Sequence, residues 1–368
     1  MNKIKVLHVF EYFAQGGIEN FVMNVFRNID KEKYQFDFAF INRTPGVFDD
    51  EVKSSGSRIF YFDSEEKTFK NYKNSLARII KENGPYEVVH SHMYYFSGYI
   101  LKVAKKCGVK VRIAHSHETL KGRKQTFLRA VYEKIMRRMI LKNATDLLAC
   151  SDVAGKYVFG EKAGYRVLYN GIDLNRFNFD SEKRAQCRKK LGIEGKFVLL
   201  NVGRFADQKN HSYLIKVFEE VARKSDNAFL VLIGDGALKG DIEAQIESSN
   251  LTSKVLILSN IKNTEDYYNA ADVFVLPSKY EGMPIVSVEA QACGLYSLLS
   301  DNITKEVALT DIVEYLSIDD LPINWAERIL SVVKNETDRK RYNSVFYDTK
   351  FNISKTVSDL CEIYAKNY

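Results

Sequence analysis

Short apolar runs alternate with helical stretches along this chain, and that alternation limits the fold more than any other feature. In the first half the runs fall at residues 4–10, 35–41, 58–62, 86–90, 110–115 and 144–150. Apolar residues at helical spacing cover 19–27, about 67–82, 95–106 and 126–141 between them. Strands alternating with helices predict a parallel sheet with helices on both faces. A charged stretch at 175–190 reads as irregular and marks a boundary. A second alternating series then begins, with strands at 197–202, 229–234, 255–258 and 271–276 and helices at 212–224 and about 264–270. Three helical stretches close the chain, at about 324–334, 338–347 and 353–365, and the last carries an apolar stripe of Val357, Leu360, Cys361 and Tyr364 that must pack on something.

At 368 residues the chain predicts two domains of ordinary size. No apolar run approaches a membrane span, and the N-terminus lacks the apolar core of a signal peptide. Five scattered cysteines, odd in number and without metal-like spacing, read as reduced thiols of a cytosolic protein. The net charge of +7 is uneven: residues 1–165 carry 28 Lys and Arg against 18 Asp and Glu, while the remainder carries 26 against 29. A basic first half points to an anionic surface or substrate. No nucleic-acid motif accompanies it, so nucleic acid is not an expected partner.

In parallel sheets of this kind ligands bind beyond the C-terminal ends of the strands. After the run 271–276 comes Pro277-Ser278-Lys279-Tyr280-Glu281-Gly282-Met283-Pro284, then an apolar helix carrying Glu289 and ending near Gly294. Pro284 suits a helix start, where its missing N–H is no loss, and Gly294 suits a helix end. A carboxylate on an otherwise apolar helix needs a partner. In the loop after 197–202, Arg204 and Lys209 precede a helix N-terminus, an arrangement suited to a diphosphate or, equally, to two solvated cations. Gly16 and Gly17 follow the first strand and open a helix; they read either as a tight turn or as a place for close backbone approach.

Histidines end two strands of the first half, as His90-Ser91-His92 and His115-Ser116-His117. No Asp or Cys joins them at a ligand spacing, so no metal is expected. Each reads as a core histidine or as an acceptor-site or catalytic group. The segment 121–143 is a basic amphipathic helix. Phe127, Leu128, Val131, Ile135, Met136 and Met139 lie on one side, and Arg123, Lys124, Arg137 and Arg138 are among the cations opposite. Such a helix packs on its own protein or lies on an anionic membrane.

Taken together these motifs resemble the retaining glycosyltransferases of family 4. The stretch from Pro277 to Gly294 matches the family pattern P-S-x-x-E-G-x-x-x-x-x-x-E-A-x-A-x-G. Gly16-Gly17, His115, Asn170-Gly171-Ile172-Asp173, Gly203-Arg204 with Lys209, and Gly234-Asp235-Gly236 follow in the family's order. Residues 111–117, 208–211 and 281–284 look most like bacterial exopolysaccharide and capsule enzymes of the EpsF type. Met283-Pro284 departs from the Phe-Gly common in the family, which alters the wall around the donor sugar.

The resemblance implies an α/β, GT-B fold: two Rossmann-like domains facing across a cleft, at 1–170 and 171–350, with a C-terminal helix at 351–368 returning to the first. It implies that Arg204 and Lys209 hold the donor diphosphate and that Glu289 receives the ribose hydroxyls. Glu281 would bind a sugar hydroxyl, supported by Gly282 and by the amides of Met283, Ile285 and Val286 around Pro284. The base would lie near Ile261, and Gly16, Gly17, Gly203 and Gly234 would let backbone approach the donor. His115 would touch the donor sugar, with His117 a rival and His92 a further acceptor-side candidate. Catalysis would rest on His115, Glu281, Arg204 and Lys209, with the configuration retained and no obligatory metal or other cofactor. The partners implied are a nucleotide-sugar, a UDP-sugar above all, and a glycan or lipid-linked acceptor. Arg123, Lys124, Arg137 and Arg138 would hold the protein peripherally on the inner face of the cell membrane. Two rival functions share the fold, a sugar-nucleotide epimerase and a non-catalytic binding protein. A third rival, a dinucleotide oxidoreductase, fits less well: the first glycines are not G-x-G-x-x-G and no acidic residue follows at the ribose position.

Overall fold

The computed structural model describes residues 3–13, 16–62, 68–117, 126–332 and 338–366. The chain folds as two compact units, one of Met1–Gly171 with Ile353–Tyr368, the other Ile172–Asn352.

The first unit runs β1 (Ile4–Phe10), α1 (Gly17–Asn28), β2 (Tyr34–Phe40), α2 (Asp49–Ser54), β3 (Ile59–Tyr61), α3 (Phe69–Asn83), β4 (Val88–Ser91), α4 (Ser97–Lys106), β5 (Val111–Ser116), α5 (Phe127–Asn143), β6 (Asp146–Ala149), α6 (Asp152–Phe159) and β7 (Arg166–Val167). The strands form one parallel sheet in the order β3-β2-β1-β4-β5-β6-β7. Because β1 is covered on both faces, it is apolar almost throughout. Alternation sends Val6 and Phe10 into one core and Leu7 and Val9 into the other.

In the second unit the order is α7 (Ser181–Leu191), β8 (Phe197–Val202), α8 (His211–Lys224), β9 (Ala228–Ile233), α9 (Lys239–Ser248), β10 (Val255–Leu258), α10 (Thr264–Ala270), β11 (Val273–Leu276), α11 (Ile285–Ala292), β12 (Tyr296–Ser300), β13 (Val313–Leu316), α12 (Pro322–Val332) and α13 (Arg341–Val345). Its sheet is also parallel, ordered β10-β9-β8-β11-β12-β13. Counted from its own first strand that is 3-2-1-4-5-6, the Rossmann order, with the reversal between β8 and β11. The first unit shows the same reversal between β1 and β4.

The last helix, α14 (Ile353–Tyr364), belongs to the first unit. Its Ile353, Leu360, Ile363 and Tyr364 share a core with Phe21, Val22, Val25 and Phe26 of α1. Each such buried side chain contributes roughly 1.5–3 kcal/mol. The start of α14 comes so close that a Cβ on Gly171 would lie 2.7 Å from the Ile353 Cα.

The stretch 175–190 is not irregular throughout, as expected from its charge, but contains α7. No apolar stripe announces this helix. Asp180 caps it by accepting from the amides of Glu182 and Lys183, and Gly192 ends it in the left-handed conformation at φ +66°. Arg184 and Arg188 then reach Asp272 and the carbonyls that end α10. The helix expected at 338–347 is shorter, only α13.

Helix α5 corrects a second expectation. Met136 and Ile140 face inward, whereas Phe127 and Leu128 are 82% and 79% exposed and Ile135 is half exposed. Arg137 does not join a basic outer face. It donates to the carbonyls of Tyr157 and Val158 and to the Tyr95 hydroxyl at 2.7–2.9 Å, because helix α6 leaves those carbonyls at its C-terminal end without intrahelical donors. Arg138 is exposed, and Arg123 and Lys124 lie outside the described residues.

Candidate active site

At the reversal point of the second sheet, the loops after β8 and β11 meet. Lys279 N donates to Gln208 O at 2.8 Å, and the Gln208 amide donates to Tyr280 O at 3.0 Å. These contacts bring Lys209 and Glu281 together: Lys209 Nζ stands 2.5 Å from Glu281 Oε1, with the two side chains 15% and 8% exposed. Ser278 Oγ donates to the same carboxylate oxygen at 2.8 Å, and Gln208 Nε2 lies 3.2 Å from the other. So two residues expected on different parts of a ligand form an ion pair with each other. An ammonium has three donors, and Lys209 can hold Glu281 and an anion at once.

Glycines shape this corner. A Cβ on Gly203 would meet Lys209 Cδ and Cε at 3.2 Å, so the lysine stem lies across it. A Cβ on Gly234 would lie 2.0 Å from Gly203 O, which excludes any side chain there. Arg204 is exposed and has no ion-pair partner among the described residues. Ile261 is half-buried in the segment after β10.

Pro284 is the N-cap of α11, at φ −73°, one residue before the predicted first-turn position. The first amides of the helix have no intrahelical acceptor, so those of Ile285 and Val286 stand at the positive end of its dipole. Gly294 closes the helix at φ +62° as expected. Glu289 is 7% exposed and its Oε2 accepts from Tyr268 Oη at 2.8 Å. Burial raises its carboxyl to about 7, against the opposing pull of Tyr268 and Arg176. Tyr268, on α10, is the partner that a charge on this helix required, and no local pattern around Glu289 announces it.

The first unit presents a different set at its own reversal point. Gly16 is the N-cap of α1. A Cβ on Gly17 would meet nothing within 4 Å, so nothing in this unit demands glycine there. His90, His92, His115 and His117 are joined by His8, which sequence reasoning passed over inside an apolar strand. Alternation puts both histidines of each H-S-H on one face; the intervening serines turn away, Ser91 to Ser97 Oγ and Ser116 to Ala154 O. His8 and His92 approach at 3.1 Å, His92 and His117 at 2.8 Å, and His90 and His115 at 3.2 Å. Desolvation drives all five pKa values down, those of His8 and His117 to about 3, so the imidazoles are neutral. His115 is buried and His117 half-buried.

Two parallel sheets, each with a reversal of strand order, define an α/β protein of two Rossmann-like units. Comparison with known proteins makes the class specific. Residues 183–345 match the model described as glycosyl transferases group 1, and residues 15–176 match glycosyltransferase family 4. The chain is 37% identical over 361 residues to the putative glycosyltransferase EpsF of Bacillus subtilis, covering 95% of this chain and 94% of that one. It is 25% identical over 386 residues to the Escherichia coli UDP-Gal:alpha-D-GlcNAc-diphosphoundecaprenol alpha-1,3-galactosyltransferase, covering 99% and 97%. A crystal structure of Anabaena HepE in complex with UDP and glucose superposes with a TM-score of 0.79 at 15% identity, over 98% of this chain and 99% of that one. The chain belongs to the family 4 glycosyltransferases of GT-B fold.

Proposed function

We propose that the protein is a retaining hexosyltransferase that moves a sugar from a UDP-sugar to a lipid-linked or glycan acceptor in the synthesis of a bacterial exopolysaccharide, capsule or O-antigen. The observation that carries this reading is the convergence of Lys209, Glu281 and the start of α11 at the reversal point of the second sheet. There Lys209 and Arg204 offset the charge of the departing diphosphate, and the free amides of α11 add to them, so no metal is required. Glu289 receives the ribose hydroxyls, Glu281 a hydroxyl of the sugar, and the backbone around Ile261 the base. The first unit takes the acceptor, with His115 reaching the donor sugar and Gly17 leaving room for the diphosphate. The acceptor hydroxyl attacks the anomeric carbon on the face the phosphate leaves, and the phosphate oxygen takes its proton. The lipid-diphosphate acceptor in the name of the Escherichia coli relative supports this acceptor class.

The test is a thermal-shift and turnover screen of UDP- and GDP-sugars. UDP-sugars are expected to raise the melting temperature and to be consumed only with a membrane extract present. Interconversion of the sugar without acceptor would replace transfer with epimerisation.

No helix among the described residues is long and apolar enough to cross a membrane. We assign α5 instead to the surface of the membrane's inner leaflet. Phe127, Leu128 and Ile135 stand exposed beside the exposed cations Lys134, Arg138 and Lys142, the pattern of an interfacial helix on anionic lipid. Replacing Phe127 and Leu128 by Asp is expected to cut partitioning onto phosphatidylglycerol vesicles by about 10²–10³-fold, from the apolar area lost. Unchanged co-sedimentation would remove the membrane from this account. Arg137→Glu is unsuitable for the purpose, since Arg137 ties α5 to α6.

A further inference from the structure

The histidines of the first unit form two separate chains. One runs His8–His92–His117. The other begins at the end of α14, where Tyr364 Oη lies 2.8 Å from His90 Nδ1, and continues from His90 Nε2 to His115 Nδ1 at 3.2 Å. Tyr364 is 1% exposed, and burial holds its phenol well above the usual range, so it keeps its proton. Its hydroxyl has no other partner among the described residues than His90. Accepting from His90 would strand the phenolic hydrogen in an apolar core, so Tyr364 donates. His90 Nδ1 is then bare and the neutral ring carries its proton on Nε2. That proton points to His115 Nδ1, which must accept. His115 Nε2 is left carrying a hydrogen, and this buried atom has no partner among the described residues.

We propose that Tyr364, through His90, fixes the proton of His115 on Nε2, so that His115 meets its ligand as a hydrogen-bond donor and not as a base. This rests on the reading of His115 as the group that touches the donor sugar; Tyr364 and His90 are positioning residues. An orphaned donor is the state expected of a group that awaits an acceptor, and a sugar hydroxyl or ring oxygen supplies one. The His8–His92–His117 chain has no hydroxyl at its head, and nothing among the described residues pins its protons in one direction.

The same rings pose a rival. His8, His90 and His92, and likewise His92, His115 and His117, have ring nitrogens within 4.8 Å of one another, near enough for an ion. Tetrahedral ligands about 2.0–2.1 Å from zinc stand about 3.3 Å apart. The separations of 2.8, 3.1 and 3.2 Å are those of hydrogen bonds.

The experiment is nitrogen NMR of the full chain with ¹⁵N-labelled histidine. There are six histidines, and His115 is assigned by the signal lost in His115→Asn. At pH 7.5 the His115 Nδ1 is expected to resonate as a bare, pyridine-type nitrogen and Nε2 as a protonated, pyrrole-type one. Tyr364→Phe should average the two, lower kcat about tenfold with donor KM unchanged, and add nothing in a His115→Ala background. A wild-type His115 protonated on Nδ1, or a tautomer indifferent to Tyr364→Phe, overturns the proposal. So does a stoichiometric transition metal in the purified chain. The wild-type spectrum decides the tautomer even if Tyr364→Phe does not fold. The predicted tautomer together with undiminished turnover in His115→Ala would instead overturn the sugar-contact role of His115 and leave the proton placement standing.

Discussion

Glu289→Gln is expected to abolish transfer and, at neutral to alkaline pH, to raise the melting temperature. Burial lifts this carboxyl from its ordinary 4.5 to about 7. A group whose folded pKa is raised sits comfortably below its unfolded pKa and loses stability as pH rises through the folded one. The wild type therefore loses stability between about pH 4.5 and 7, and at pH 8 it carries the full cost of a buried charge, on the order of 3 kcal/mol. Glutamine keeps the shape and still accepts from Tyr268 Oη. The melting temperatures of the two proteins should coincide near pH 4 and separate as pH rises to 7, with no further change above. Activity should run the other way, because an uncharged amide receives ribose hydroxyls poorly. A position that destabilises its own unit yet abolishes activity when relieved is the behaviour of a ligand-binding group. A variant no more stable at pH 8, or one that still turns over, contradicts the role given to Glu289.

Lys209→Ala is expected to lower kcat/KM by about 10²–10³-fold, the scale for removing one preorganised partner of a developing charge. Unlike Glu289→Gln it should also lower the melting temperature. Glu281 would keep Ser278 and Gln208 but lose its counter-ion while its side chain is only 8% exposed, a situation that typically costs about 3 kcal/mol. Calorimetry at pH 7.5 checks the second part. Glu281→Gln separates the two functions of the pair, since Lys209 remains available for phosphate. Near-wild-type turnover for Lys209→Ala would move the diphosphate elsewhere.

What could be read from the chain was what local pattern carries. Buried parallel strands announce themselves as β-branched runs such as 273–276, and helix borders by Pro284 and Gly294. The loops bearing Lys209 and Glu281 stand out because each follows an apolar strand and precedes a helix, and sheets of this kind bind ligands beyond the C-terminal ends of their strands. Long-range contacts were not. Nothing near Glu289 in sequence points to Tyr268, and nothing near His115 points to Tyr364, which lies on the last helix of the chain. Helix α7 escaped because it is held by two arginines on Asp272 and on carbonyls, with no apolar stripe to betray it. Arg137 was misplaced for a related reason: it lies on the polar side of α5, yet the unsatisfied carbonyls at the end of α6 draw it inward. His8 is masked by its surroundings, a polar ring within a mostly apolar run, and its place beside His92 appears only once β1 is paired with β4.

The proposed reaction transfers a sugar from a UDP-sugar with retention and without a metal. The most direct measurement follows the full-length protein with a UDP-sugar and a membrane extract in excess EDTA, and reads the anomeric configuration of the product by NMR. An α-linked product from an α-linked donor, formed at the same rate with and without EDTA, is the predicted result. A β-linked product, or release of UDP that stops when metal is chelated, would contradict it.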